Sequence, residues 1–118
     1  MDAAESSAGW LRLTLVPGVG GESQRKLLKA FGLPEAIFAA GRSALGDVVG
    51  DRTSRLLLDT DNRAAVDRAL AWANGTNQHL VCLADPEYPQ ALLQIPDPPT
   101  LLYVRGRLSL LNQPALAV

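Results

Sequence analysis

Apolar positions recur every three or four residues through the first two thirds of the chain, the period of helices with one buried face. Trp10, Leu11, Leu13 and Leu15 predict a first helix, with Ser6 or Ser7 as its cap and Pro17 and Gly18 as its end. Leu27, Leu28 and Phe31 share one face of a second helix running from about Glu22 to Phe31, and Gly32 stops it. Pro34 opens "PEAIFAA", which Gly41 stops, and Ser43 opens "SALGDVVG". A segment "RTSRLLLD" follows. Asp61 then opens "NRAAVDRALAWAN", expected to be the longest helix, with Val66, Ala69, Leu70 and Ala73 at helical spacing and Gly75 behind it. The pattern predicts about five short helices packed as a bundle over residues 1–76.

The period changes after residue 76. "HLVCLA" is a short apolar run with a polar start, suited to a strand, and "TLLYVRG" predicts a second strand from its aromatic and β-branched content. Between them "DPEYPQALLQI" reads as a turn and one short helix. "PDPP" must be extended, because a residue before proline is pushed out of the helical region. "RLSLLNQP" reads as a connector and "ALAV" as the first half of a third strand. Such an ending leaves apolar side chains and backbone groups unpaired, so the chain is expected to be the N-terminal part of a longer protein. The fold class is therefore α+β, with a helical domain at 1–76 and the start of a second, truncated domain at 77–118.

Charge narrows the chemistry. The net charge is −1, so no overall field draws polyanions to the molecule. Residues 1–76 carry nine basic and nine acidic side chains, and residues 77–118 carry two and three. Any contact with nucleic acid must therefore be local. No run of about 18 apolar residues is present, so no helix is expected to span a membrane. The acidic start "MDAAESSAG" is not a secretory signal. The single cysteine, Cys82, sits in an apolar run and is expected to be a small buried hydrophobe, which fits a cytoplasmic protein best. His79 has no histidine or cysteine partner at ligand spacing, so no metal is expected. No nucleophile, base and orienting group assemble, so neither catalysis nor a cofactor is expected.

"LVPGVGGESQRKLLKAFG" carries the most chemical information. A dinucleotide loop needs a strand, G-x-G-x-x-G and then a helix. Gly18 and Gly20 fit, but Ser23 takes the third glycine position, and "GLPEAIFAAGRSALG" is helical where a second strand is required. The alternative is a helix-hairpin-helix, whose turn has the form apolar-Pro-Gly-apolar-Gly; "VPGVG" matches at every position. The amides of Gly18, Gly20 and Gly21 and the next helix's first turn can form a positive concavity for one phosphate without reading a base. Arg25, Lys26 and Lys29 add charge beside it. A plain helix–helix turn with a solvated basic face accounts for the same residues.

Read together with "YPQALLQIPDPPTLLYVRGRLSLLNQPALAV", the segment "WLRLTLVPGVGGESQRKLLKAFG" resembles the DNA-processing protein A family, also called DprA or Smf. Tyr88, Pro89, Leu92, Ile95, Pro98, Pro99, Leu102, Tyr103 and Gly106 match the family pattern "YP…L…I…PP…LY…G". The resemblance implies a helical, SAM-like N-terminal domain followed by an extended Rossmann-like domain. It implies a protein that binds single-stranded DNA and helps load RecA recombinase in natural transformation, as a homodimer when intact and without nucleotide cofactor or catalysis. Most of the functional positions it implies lie past Val118, so this part is expected to be an accessory module, touching DNA weakly or docking a regulatory protein. Two rivals stand beside it: a protein-interaction module without DNA contact, and the front of a nucleotide-binding Rossmann enzyme.

Arg105 and Arg107 are candidates for backbone phosphate contact, and equally for salt bridges between domains. Tyr88 is expected to pack the short helix against the sheet among Leu92, Leu93 and Ile95 rather than to stack on a base. Tyr103 should face away from Leu102 and Val104.

Overall fold

The structure, a computed structural model, describes residues 3–107, with side chains from Ser7 onward. Six helices and two strands are found there: α1 (Ala3–Thr14), α2 (Gly21–Phe31), α3 (Pro34–Ala39), α4 (Gly41–Val49), α5 (Asp51–Asp59), α6 (Arg63–Ala73), β1 (Gln78–Cys82) and β2 (Leu101–Arg105), with a 3₁₀ turn at Gln90–Gln94 between the strands. The expected connector from Leu108 and the half-strand "ALAV" lie outside the described residues.

Several boundaries differ from the sequence reading. α1 begins at Ala3, so Ser6 and Ser7 lie inside it and not at its cap; Ala3, Ala4 and Glu5 are strong helix formers and carry the helix upstream. α4 starts at Gly41 rather than Ser43, because Gly41 takes φ +86° and breaks one helix while opening the next. "RTSRLLLD" is itself a helix, α5, in which the buried Ser54 hydroxyl donates to the Asp51 carbonyl at 2.7 Å. α6 begins at Arg63 and spans 11 residues, one fewer than the 12 of α1. Asp61 stays outside it, and its carboxylate accepts the Arg63 backbone N–H at 3.2 Å, meeting one of the donors a helix start leaves open.

α1 is the shared wall of the fold. Leu13 faces a cluster with Val16, Val19, Leu27, Ile37, Leu45 and Leu57, drawn from the helices and from the turn after α1. Leu11, two positions earlier and so near the opposite side of the helix, joins Val66 and Ala69 of α6, with Leu80 and Leu101 of the strands packed against them. Each of these fully buried leucines contributes about 2 kcal/mol of transfer free energy. The Asn62 side-chain amide donates to the Arg12 carbonyl at 3.0 Å and ties the start of α6 to the end of α1. Two clusters therefore lie back to back on α1, one in the bundle and one shared with α6 and the strand pair.

β1 and β2 are antiparallel, with Gln78 opposite Arg105, Leu80 opposite Tyr103 and Cys82 opposite Leu101. The ladder extends at both ends: Leu83 donates to the Thr100 carbonyl at 2.9 Å, and Gly106 to Asn77 at 2.7 Å. The proline-rich connection folds back under Tyr88. Its ring is buried, as expected, and its hydroxyl donates to the Pro99 carbonyl at 2.7 Å. Leu93 and Ile95, expected beside it, are instead exposed. The 3₁₀ turn is too short to present a continuous apolar face. No helix among the described residues is long and apolar enough to cross a membrane.

Candidate nucleic-acid interface

The glycine turn follows a helix, not a strand, which removes the strand–loop–helix geometry a dinucleotide site requires. Leu15 still donates to the Leu11 carbonyl at 2.9 Å, and Val19 closes back onto Val16 at 3.2 Å. Val16 and Val19 are buried and anchor the turn, while Pro17, Gly18 and Gly20 face solvent. Gly18 has φ +87°, a conformation that L side chains rarely adopt, and a Cβ there would lie 3.2 Å from Leu56. Its glycine is explained by the turn itself.

Gly20 is different. Its φ of −89° and ψ of 179° suit any residue, and no heavy atom lies within 4 Å of where a Cβ would stand. It occupies the N-cap of α2, a position where Ser, Asn or Asp does better than glycine by a few tenths of a kcal/mol. The first hydrogen bond of α2 runs from Gln24 to the Gly20 carbonyl at 3.1 Å. The amides ahead of it, from Gly20 to Ser23, point outward, as the start of any helix requires.

Gln24 was missed by the sequence reading. It is buried, and its side-chain amide donates to the Val19 carbonyl at 3.2 Å, bracing the turn from within the next helix. Its signal is its spacing: Gln24, Leu27, Leu28 and Phe31 fall on one helical face. Asp97 was also missed. It forms an ion pair with Arg25, which also donates to the Pro98 carbonyl at 3.4 Å, and the Asp97 carboxylate would lie 3.3 Å from a Cβ on Gly21.

The predicted cations therefore stand in unequal states. Arg25 is held by Asp97. Lys26 is 3.5 Å from Glu22 in an exposed i,i+4 pair, and Lys29 is exposed with no ion pair among the described residues. Gly18, Gly20 and Gly21 lie at the start of α2 with Arg25 and Lys26 about a turn further on, whereas Lys29 stands in the last turn, at the other end of the helix. Arg105 and Arg107 are not joined to this group: Arg105 ends β2, Arg107 lies two residues beyond it past Gly106 at φ +120°, both are exposed, and no hydrogen bond or ion pair among the described residues joins them to the turn. A cleft of about 450 Å³ between α1 and the start of α6 carries Asp59, Asp61 and Asp67 beside Arg12 and Arg63. Three carboxylates make it a poor seat for a phosphate. Among the described residues no cluster of His, Cys, Asp and Glu could hold a metal.

Fold and turn together define the class: an α+β chain in which a helical bundle presents a glycine hairpin and shares a hydrophobic cluster with an antiparallel strand pair. A family model described as DNA recombination-mediator protein A matches residues 79–118. Protein Smf of Synechocystis sp. is 32% identical over 108 residues, which are 90% of this chain and 27% of that protein. The chain belongs to the DNA recombination-mediator protein A family, also called DprA or Smf. It spans about a quarter of the length of the curated relative it matches. No solved structure matches it.

Proposed function

We propose that this chain is the front part of a protein that holds single-stranded DNA for a recombinase, with the Pro17–Gly21 turn as a base-neutral phosphate contact. The observation that carries the reading is Gly20. Backbone conformation does not require glycine there, packing does not require it, and capping would favour a hydroxyl or amide side chain. Glycine is an adequate cap, within a few tenths of a kcal/mol of the best, and its bare backbone leaves room for a ligand to approach the amides of the helix start. The family name, with its recombination-mediator role, supplies the context.

In this reading residues 1–76 form a SAM-like, helix-hairpin-helix module and residues 77–118 open a Rossmann-like domain. The antiparallel β1–β2 pair would be the leading edge of a mixed sheet, an arrangement common in large sheets. The intact protein would be a cytoplasmic homodimer that presents its strand to RecA without transforming it.

A second reading, a docking site for a regulatory protein, has its own observation. Arg25 and Lys26 are already offset by Asp97 and Glu22, and Leu33 at the end of α2 is 53% exposed. Charge reversal separates the two. Lys26→Glu with Lys29→Glu should weaken binding to oligo(dT) and flatten its salt dependence, by a slope of about 0.7 for each phosphate lost. An unchanged affinity and slope would reject the phosphate site and leave the docking reading.

A further inference from the structure

Tyr103 is 50% exposed, yet its ring is not loose. Trp72 of α6 meets it edge-on, with centroids 5.5 Å apart and planes at 64°. Packing of this kind fixes an aromatic ring and leaves much of it open to solvent. Arg105 follows two positions along the same strand, about 6.6 Å away along it. Arg107 follows it, and all three side chains are exposed between half-buried neighbours. Neither arginine has an ion pair among the described residues.

The surroundings suit a polyanion. The sequence has no carboxylate between Asp67 and Asp85, and none after Asp97. Arg105 stands opposite Gln78 in the ladder. Gln78, His79 and Asn74 line a cleft of about 270 Å³ between α6 and β1. This end of the hairpin thus combines one aromatic ring packed on Trp72, two guanidinium groups without an ion pair among the described residues, and neutral polar side chains. An unpaired base offers the ring a face that a duplex hides, and stacking of this kind tolerates any sequence.

We propose that this end of the β1–β2 pair is a second single-strand contact, separate from the glycine turn, in which Tyr103 stacks on a base and Arg105 and Arg107 hold neighbouring phosphates. It rests on the reading that the protein binds single-stranded DNA, but not on the turn being a contact.

The test compares oligo(dT) with an abasic strand of equal length and charge, each titrated against the intact chain. The wild type should prefer oligo(dT) by about tenfold, within the range measured for single base–aromatic stacks. Tyr103→Ala should abolish that preference, and Tyr103→Phe should keep it. Arg105→Gln with Arg107→Gln should weaken both strands alike and reduce the salt slope by about 1.4. Both arginines are exposed, so this variant tests the surface even where Tyr103→Ala disturbs Trp72. A retained oligo(dT) preference in Tyr103→Ala, or an unmoved slope in the arginine variant, overturns the proposal. If Lys26→Glu with Lys29→Glu weakens binding while these variants do not, only this contact falls. If the wild-type chain binds neither strand, the single-strand reading falls, and this contact with it.

Discussion

The guanidinium of Arg25 donates to the carboxylate of Asp97 across 72 positions of sequence, and so brings the proline-rich connection onto the first turn of α2. The protein's own anion thus stands beside Gly21, next to the proposed phosphate contact. The pair is exposed on the Asp97 side, at 76%, so it contributes less than about 1 kcal/mol to stability.

Asp97→Asn should therefore leave the melting temperature nearly unchanged and free Arg25 for DNA. The expected result is tighter binding to oligo(dT) and a salt slope steeper by about 0.7, one added phosphate contact. Titration at several salt concentrations checks it. An unchanged slope would mean that Arg25 serves only to hold the connection in place.

Two glycines of one turn should respond in opposite ways. Gly18→Ala forces a side chain into φ +87° and against Leu56, and should cost about 1–2 kcal/mol in denaturant unfolding. Gly20→Ser meets open space, ordinary dihedrals and a cap position that prefers serine, so stability should hold or rise slightly. The same serine puts a side chain over the outward amides and should weaken oligo(dT) binding. A Gly20→Ser variant that binds as well as the wild type would remove the main support for the phosphate site.

How far the fold was legible follows from where the information lies. Helix α2 was readable because Leu27, Leu28 and Phe31 repeat at helical spacing between two glycines. Helix α5 was not, because Leu56, Leu57 and Leu58 are consecutive and blur the period; only Leu57 is buried outright. The burial of Tyr88 was legible, but not its surroundings, since Leu93 and Ile95 are exposed. Its hydroxyl partner, Pro99, depends on how the connection folds back, which no local spacing encodes. The candidate site divides in the same way. Glycines and cations along one helix were visible, whereas the anion that offsets Arg25 arrives through tertiary structure. Gln24 lay within reach, since a polar residue on an apolar face calls for a buried partner.

Asp61 gives the fold an acid-sensitive point. Its carboxylate accepts from the Arg63 side chain at 2.9 and 3.0 Å and from the Arg63 backbone, and these bonds lower its pKa from 3.8 to about 2. The native state holds this group ionised more strongly than the unfolded chain does. The resulting stabilisation is present above about pH 4 and fades as pH falls toward 2. Unfolding of Asp61→Asn compared with wild type should show a difference at pH 5 to 6 that closes through that window. Added salt should narrow it, because the pair is exposed. A difference independent of pH would trace the effect to shape rather than charge.

Cys82 sets the opposite limit. Its side chain is buried where β1 meets the connection, and burial, reinforced by the nearby Asp85 carboxylate, pushes its thiol up to about 12. The thiolate is the reactive form, so a disulfide reagent at pH 8 should label Cys82 only as fast as the strand pair opens, and at once in denaturant. In the unfolded chain the thiol ionises near its ordinary value of 9.0. Between about pH 9 and 12 the unfolded state thus loses a proton that the native state keeps. The sign follows: stability is full below pH 9 and declines as pH rises through that range. Cys82→Ala removes the titration, at the cost of a small cavity, so its stability should fall less steeply in the same window. Rapid labelling of the native wild type at pH 8 would contradict both expectations, since it would require an open β1–β2 pair or an ionised thiol in its core.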